Sequence, residues 1–460
     1  MELPRIDRYG FSPVEYIEKT VSNQGKEEPM RKKIEKRLKS FSGRISYCFL
    51  CRFKSAIFLL LLFFAGQPAP LIILGETFMD KETSTTSNSS LVPLMRAMNK
   101  LQRGEILSVV TLGGSITTGY AAKDPAAEGW AGRIQQWWEQ KARESGGTVL
   151  FHNAGLSGTD SAWATVRVAD HVLIHDPDIV FVEFAINDQW LDKKIRLRSY
   201  EGLLRQLLAS SDRAVVLLFL NEKGQPERGQ GKEQSELGRY YNLPMLFWAD
   251  WVKADEWNRY FSGNETIHPN NEGHESIARG SIDFLERLWG MTHRTGDVSS
   301  VGKNVLPPPL YSDEFQHVRW IHSGNAEILS NTGWIVGSDL HPEWFRRGGS
   351  MPAGWQSNDK NAHLVIRVRG KSVGILYSES DQYRNAQAWV ESPDGKIGKK
   401  VSIDGYVSYR TGYLGWAYRE LVQGEVVQDY LVHVEIKKSR SSDDGKWAKI
   451  AGVVVTGVSE

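Results

Sequence analysis

A chain of 460 residues with 41% apolar side chains is too long for one ordinary domain and long enough for two cores and an extension. Its formal net charge of +1 offers no field for a nucleic-acid partner. Its two cysteines, Cys48 and Cys51, both lie near the N-terminus, so no disulfide framework can staple the parts that follow.

Residues 1–55 read as a basic extension. Over 26–54, Lys and Arg outnumber Glu by ten to three, and Met30 is a more usual start for a signal peptide than Met1. Cys48-Phe49-Leu50-Cys51 has redox-motif spacing but lacks a surrounding βαβ pattern. The uncharged block AIFLLLLFFA at 56–65, followed by Gly66-Gln67-Pro68-Ala69-Pro70, makes 56–74 a signal peptide or a signal anchor. Under either reading the domains lie outside the cytoplasm: secreted, periplasmic or at the cell surface. A polar linker occupies 75–90.

Apolar residues at Leu91, Leu94, Met95, Met98 and Leu101 predict an amphipathic helix over 91–102. Strands are expected at 106–112, 148–152, 179–184, 215–220 and 245–248. Helices are expected at 131–145, 162–175, 200–210, 235–241 and 273–288. Short apolar strands alternating with helices imply a three-layer α/β domain on a parallel sheet, over 91–292. A Gly, Ser and Pro-rich linker follows over 293–312. Period-two segments at 363–369, 373–377, 386–391, 400–403, 430–436 and 449–455 then predict an all-β sandwich of jelly-roll type over 313–460.

Four blocks carry chemistry. The first expected strand breaks on Gly113-Gly114 into Ser115-Ile116-Thr117, presenting a hydroxyl at a strand's carboxyl end, where open α/β sheets bind ligands. Asn153-Ala154-Gly155-Leu156-Ser157-Gly158 ends the second, and Ala185-Ile186-Asn187-Asp188 the third. Glu265-Thr266-Ile267-His268-Pro269 precedes the last helix. An acid three residues before a histidine can orient the imidazole, which can deprotonate the serine. The backbone N–H groups of Ser115 and Gly158 and the Asn187 amide would then face a tetrahedral oxyanion, each donor worth about 3 kcal/mol of barrier. Gly155 is the alternative oxyanion glycine. His274 reads as packing or capping the last helix, and His152 and His175 as structural.

In order and placement these blocks resemble the SGNH (GDSL-like) hydrolase family, over roughly 91–289. The resemblance implies a flavodoxin-like fold, Ser115 as nucleophile, Gly158 and Asn187 in the oxyanion hole, His268 as base, and no cofactor or metal. The chain departs from the family in reading Gly-Gly-Ser-Ile for Gly-Asp-Ser-Leu. It also carries Glu265 where the family has Asp, a methylene longer, so the orienting role could loosen or pass to a backbone carbonyl. Trp130, Trp163 and Trp190 are the aromatic candidates for stacking a sugar ring. An exported SGNH domain joined to a jelly roll resembles extracellular carbohydrate acetylesterases, and implies an acetylated polysaccharide or other carbohydrate ester as substrate. An O-acyltransferase with the same site, and a glycan-binding protein with a weakened catalytic domain, are the alternatives.

Overall fold

The computed structural model describes residues 88–210, 212–225, 229–295, 306–337, 352–407, 414–437 and 446–457. The expected basic extension and the apolar segment 56–74 lie outside these residues. Among the described residues no helix is long and apolar enough to cross a membrane.

The first half alternates strands and helices in chain order. These are α1 (Asn88–Gln102), β1 (Ile106–Gly113), α2 (Ser115–Thr118), α3 (Trp130–Ser145), β2 (Thr148–Gly155), α4 (Ser161–His171), β3 (Ile179–Glu183), α5 (Lys193–Leu207), β4 (Ala214–Phe219), α6 (Gly229–Tyr240), β5 (Met245–Phe247) and α7 (Asn271–Thr295). The strands pair in parallel in the order β2-β1-β3-β4-β5, the flavodoxin-like arrangement. Both faces are covered, so most sheet positions are apolar. Val109, Phe181, Val216 and Leu218 meet α1, α3 and α7 through Met98, Trp138 and Leu285. Val110, Val180, Val182 and Leu217 meet α4, α5 and α6 through Val168, Leu204 and Leu237. The chain leaves β1 for β2 on one side and returns to β3 on the other. That reversal opens a crevice at the carboxyl ends of β1, β2 and β3.

Helix α5 starts seven residues before the expected Tyr200. Its early turns are basic in sequence, yet Arg196 and Arg198 are buried there because carboxylates reach them: Glu233 pairs with Arg196, and Glu314 and Glu420 with Arg198. Asp192 caps this start by accepting the Lys194 N–H at 2.9 Å.

Among the described residues nine antiparallel strands follow. They are β6 (Val318–Ile321), β7 (Glu327–Thr332), β8 (Ile335–Gly337), β9 (Gly354–Ser357), β10 (His363–Ser380), β11 (Ala386–Glu391), β12 (Val401–Ile403), β13 (Leu414–Ile436) and β14 (Ala448–Thr456). This is a separate all-β domain, as expected. Its two expected segments 363–369 and 373–377 are one strand, β10, which keeps pairing with β13 through register shifts around Gly370 to Gly374. Strand β10 pairs with β7 on one side over His363 to Arg367 and with β14 over Ser372 to Tyr377, so it passes between two parts of the sheet. The short strands β6 to β9 escaped the sequence reading; β7 is exposed at every position and shows no apolar alternation.

The β-domain packs against α4. Trp163 and Leu156 join Phe315, Trp320, Leu376, Trp416, Tyr418 and Val454 in one buried cluster. The incoming chain is tied to α5, where the Glu201 carboxylate accepts backbone N–H groups of Leu310, Tyr311 and Ser312.

Candidate active site

Strand β1 ends where side chains become sterically impossible. A Cβ on Gly113 would lie 2.1 Å from Thr117 Oγ1, and one on Gly114 would lie 2.3 Å from Asn187 Oδ1. Only glycine lets the chain turn here and bring the Asn187 amide, from the 3₁₀ turn after β3, against the backbone that carries Ser115. Ser115 opens the single turn α2 and is 9% exposed. Beneath it the buried Glu183 carboxylate accepts the Thr117 hydroxyl at 3.1 Å, and burial pushes Glu183 up to about 7. Arg167, also buried, donates to the carbonyls of Ala154 and Gly113, joining the ends of β2 and β1.

The loop before α7 delivers the histidine. Asn270 donates its amide to the Arg259 carbonyl and its N–H to the Tyr260 carbonyl, which fixes the loop. Ser115 Oγ then lies 2.9 Å from His268 Nε2. A hydroxyl donating to a neutral imidazole in this way can lose its proton as it attacks. The opposite ring nitrogen, Nδ1, is 3.5 Å from Glu265 Oε2.

Glu265 uses its extra methylene to curl back on its own backbone. Its Oε1 accepts the N–H groups of Thr266, Ile267 and His268 at 3.0, 2.9 and 3.3 Å. Burial alone would raise its pKa, but the Ile267 and His268 N–H groups and the imidazole outweigh that, and the carboxyl is held below its ordinary value. The longer acid is therefore an ionised group directed at the imidazole, 39% exposed at its side chain.

Of the two candidate glycines, Gly155 spends its N–H on Asn153 Oδ1 at 2.9 Å. Gly158 has φ +72°, and its carbonyl accepts the Trp416 N–H from β13 at 3.3 Å. A Cβ on Gly158 would stand 3.2 Å from Gly415 Cα, so the β-domain backs directly onto this loop. The loop is also tied to the Asn187 turn, because Asp188 accepts the Ser161 N–H at 2.8 Å and Gln234 donates to its other oxygen. Burial raises both Asp188 and the nearby Asp160, the latter to about 6.

Two aromatic expectations are corrected. Trp130 and Trp163 are each 0% exposed, so neither has a face for a sugar. Trp130 opens α3 in the α/β core against Phe181, and Trp163 lies between Trp320 and Trp416 at ring-centroid distances of 5.7 and 4.8 Å. Trp190 is 74% exposed, at the end of the Asn187 turn. Tyr120, which the sequence reading passed over, has its ring centroid 4.6 Å from that of His268. Its place five residues after Ser115, directly beyond Gly119, was the available signal. His274 packs in α7 as expected, but also reaches the Tyr120 carbonyl with Nε2 at 2.9 Å. The rings of His152 and His175 lie against each other, tilted by 32°, with centroids 4.0 Å apart.

The model of the GDSL-like Lipase/Acylhydrolase family matches residues 111–275, which span every block described above. Over these residues the chain is similar to that family. No curated protein matches the chain. Among solved structures, the two-domain esterase CEX, active on acetylated mannans, shares this fold over both domains. One CEX structure aligns with a TM-score of 0.69 at 22% identity, over 81% of this chain and 96% of that one. A second, co-crystallised with mannopentaose, aligns with a TM-score of 0.68 at 20% identity, over 80% and 96%. The α/β domain and its all-β companion thus occur together in another solved fold.

Proposed function

We propose that this chain is a serine esterase that removes acetyl or similarly small acyl groups from a carbohydrate. The observation that carries the reading is the 2.9 Å contact between Ser115 Oγ and His268 Nε2, with the Glu265 carboxylate behind the ring. Ser115 Oγ attacks the ester carbonyl as His268 Nε2 takes its proton. The tetrahedral oxyanion is met by the N–H groups of Ser115 and Gly158 and by the Asn187 amide. Collapse breaks the bond to the sugar oxygen, which receives the proton from His268 and leaves as an alcohol. Water then attacks the acyl-Ser115 ester with His268 again as base. Acetate departs and the hydroxyl is restored. Charge on His268 during each step is balanced by Glu265.

A carbohydrate substrate is supported by the shared two-domain fold of an esterase active on acetylated mannans. The apolar stretch 56–74 would carry the domains out of the cytoplasm, where such polymers occur. The test is hydrolysis of p-nitrophenyl acetate, followed by release of acetate from acetylated mannan and xylan. Ser115→Ala and His268→Ala should each lower kcat/KM by about 10³-fold or more. Activity retained in Ser115→Ala would overturn the mechanism. Transfer of acetyl to an added sugar in place of free acetate would make the enzyme an acyltransferase.

A further inference from the structure

Tyr120 is 53% exposed, while Ser115 below it is 9% exposed, and its ring is tilted 57° to that of His268. In the proposed reaction His268 Nε2 hands its proton to the leaving oxygen, which must come within about 3 Å of that nitrogen. Whatever carries the oxygen therefore occupies space beside the imidazole, where Tyr120 stands. An open aromatic face is suited to the C–H face of a pyranose.

The backbone holds this ring in place. Gly119 and Ala121, on either side of Tyr120, both have positive φ, +87° and +71°. Ala121 is a non-glycine residue in the left-handed region, a conformation that persists only when its surroundings impose it. They do so here. His274 Nδ1 accepts the Trp130 N–H at 3.3 Å, which leaves Nε2–H to donate to the Tyr120 carbonyl. A Cβ on Gly119 would lie 2.3 Å from the Pro125 carbonyl oxygen, so the loop is folded tightly on itself. The Lys123 N–H reaches Asn271 at the start of α7.

We propose that Tyr120 is a specificity-determining residue that receives the sugar ring of the leaving group, and that His274 is its positioning residue. The inference rests on the esterase reading. It is tested by comparing kcat/KM for acetylated mannotriose with kcat/KM for ethyl acetate, whose leaving alcohol has no ring to stack. Tyr120→Ala should lower the ratio of the two about tenfold, chiefly through KM for the sugar ester, whatever loss the two substrates share. Tyr120→Phe, which keeps the ring, should hold the ratio within about twofold. His274→Ala should lower it by a smaller factor, and near-ultraviolet circular dichroism checks that each variant is folded. An unchanged ratio in folded Tyr120→Ala, or an equal fall in Tyr120→Phe, overturns the proposal. Wild-type protein that turns over ethyl acetate but not the sugar ester overturns the carbohydrate substrate and Tyr120's role together. Turnover of neither overturns the esterase reading on which both depend.

Discussion

Replacing Glu265 by Gln tests how the site orients and charges its histidine. The glutamine carbonyl can still accept the backbone N–H groups of Thr266, Ile267 and His268, so the loop should keep its shape while the charge facing His268 Nδ1 is removed. Unit charges 3.5 Å apart interact by about 1 kcal/mol in water and about 5 kcal/mol at an effective dielectric constant of about 20. Because the carboxylate is 39% exposed, solvent screening holds the effect near the lower end, about 1–2 kcal/mol. The kcat/KM for p-nitrophenyl acetate should therefore fall about 5- to 30-fold, far less than in His268→Ala. The same energy lowers the pKa of His268, since the lost carboxylate stabilised only the imidazolium. The acid limb of the pH profile should move down, extending activity to lower pH on a reduced plateau. Glu265→Asp keeps the charge on a shorter reach and should fall between wild type and Gln. A loss of about 10³-fold or more, or a loss with no movement of the acid limb, would refute the screened-charge argument.

Gly114→Ala places a methyl 2.3 Å from Asn187 Oδ1 and should displace that amide. The expected result is a fall in kcat of about 10²-fold or more, the scale of one lost oxyanion donor. Trp416→Ala opens a cavity beside Trp163 and should cost about 3–5 kcal/mol in denaturant unfolding. It should also reduce turnover, because the packed Trp416 side chain fixes the β13 backbone whose N–H bonds the Gly158 carbonyl. Burial raises Glu183 from 4.5 to about 7, so as pH rises across that window the unfolded chain releases a proton that the folded chain keeps. Stability from this group is greatest below about pH 4.5, and about 3 kcal/mol of it is lost by about pH 7. Glu183→Gln should flatten that part of the pH–stability curve and raise stability at pH 8, measured by urea unfolding.

Much of the site is readable along the chain because its parts sit at the ends of strands that announce themselves. Ile106 to Leu112 and Ile179 to Glu183 are apolar enough to be recognised as buried, and the polar residues that follow them are thereby placed at one edge of one sheet. A parallel sheet then brings the Ser115 turn against the Asn187 turn, with the loop after β2 beside Thr118, by topology alone. What local pattern cannot carry is a residue whose role is set by something distant. Trp163 looks like a sugar platform five residues beyond Gly158, and is instead buried by Trp320 and Trp416, more than 150 residues away in sequence. Arg196 and Arg198 lie in a basic stretch of sequence, and their burial in α5 depends on Glu233, Glu314 and Glu420, which pair with them from distant segments. The reach of Glu265 turns on three backbone N–H groups in its own loop, and the exposure of Tyr120 on a turn held by His274 from α7. Periodicity reports which face of an element is apolar. Which partner covers that face, or neutralises a buried charge, is decided only when distant segments pack.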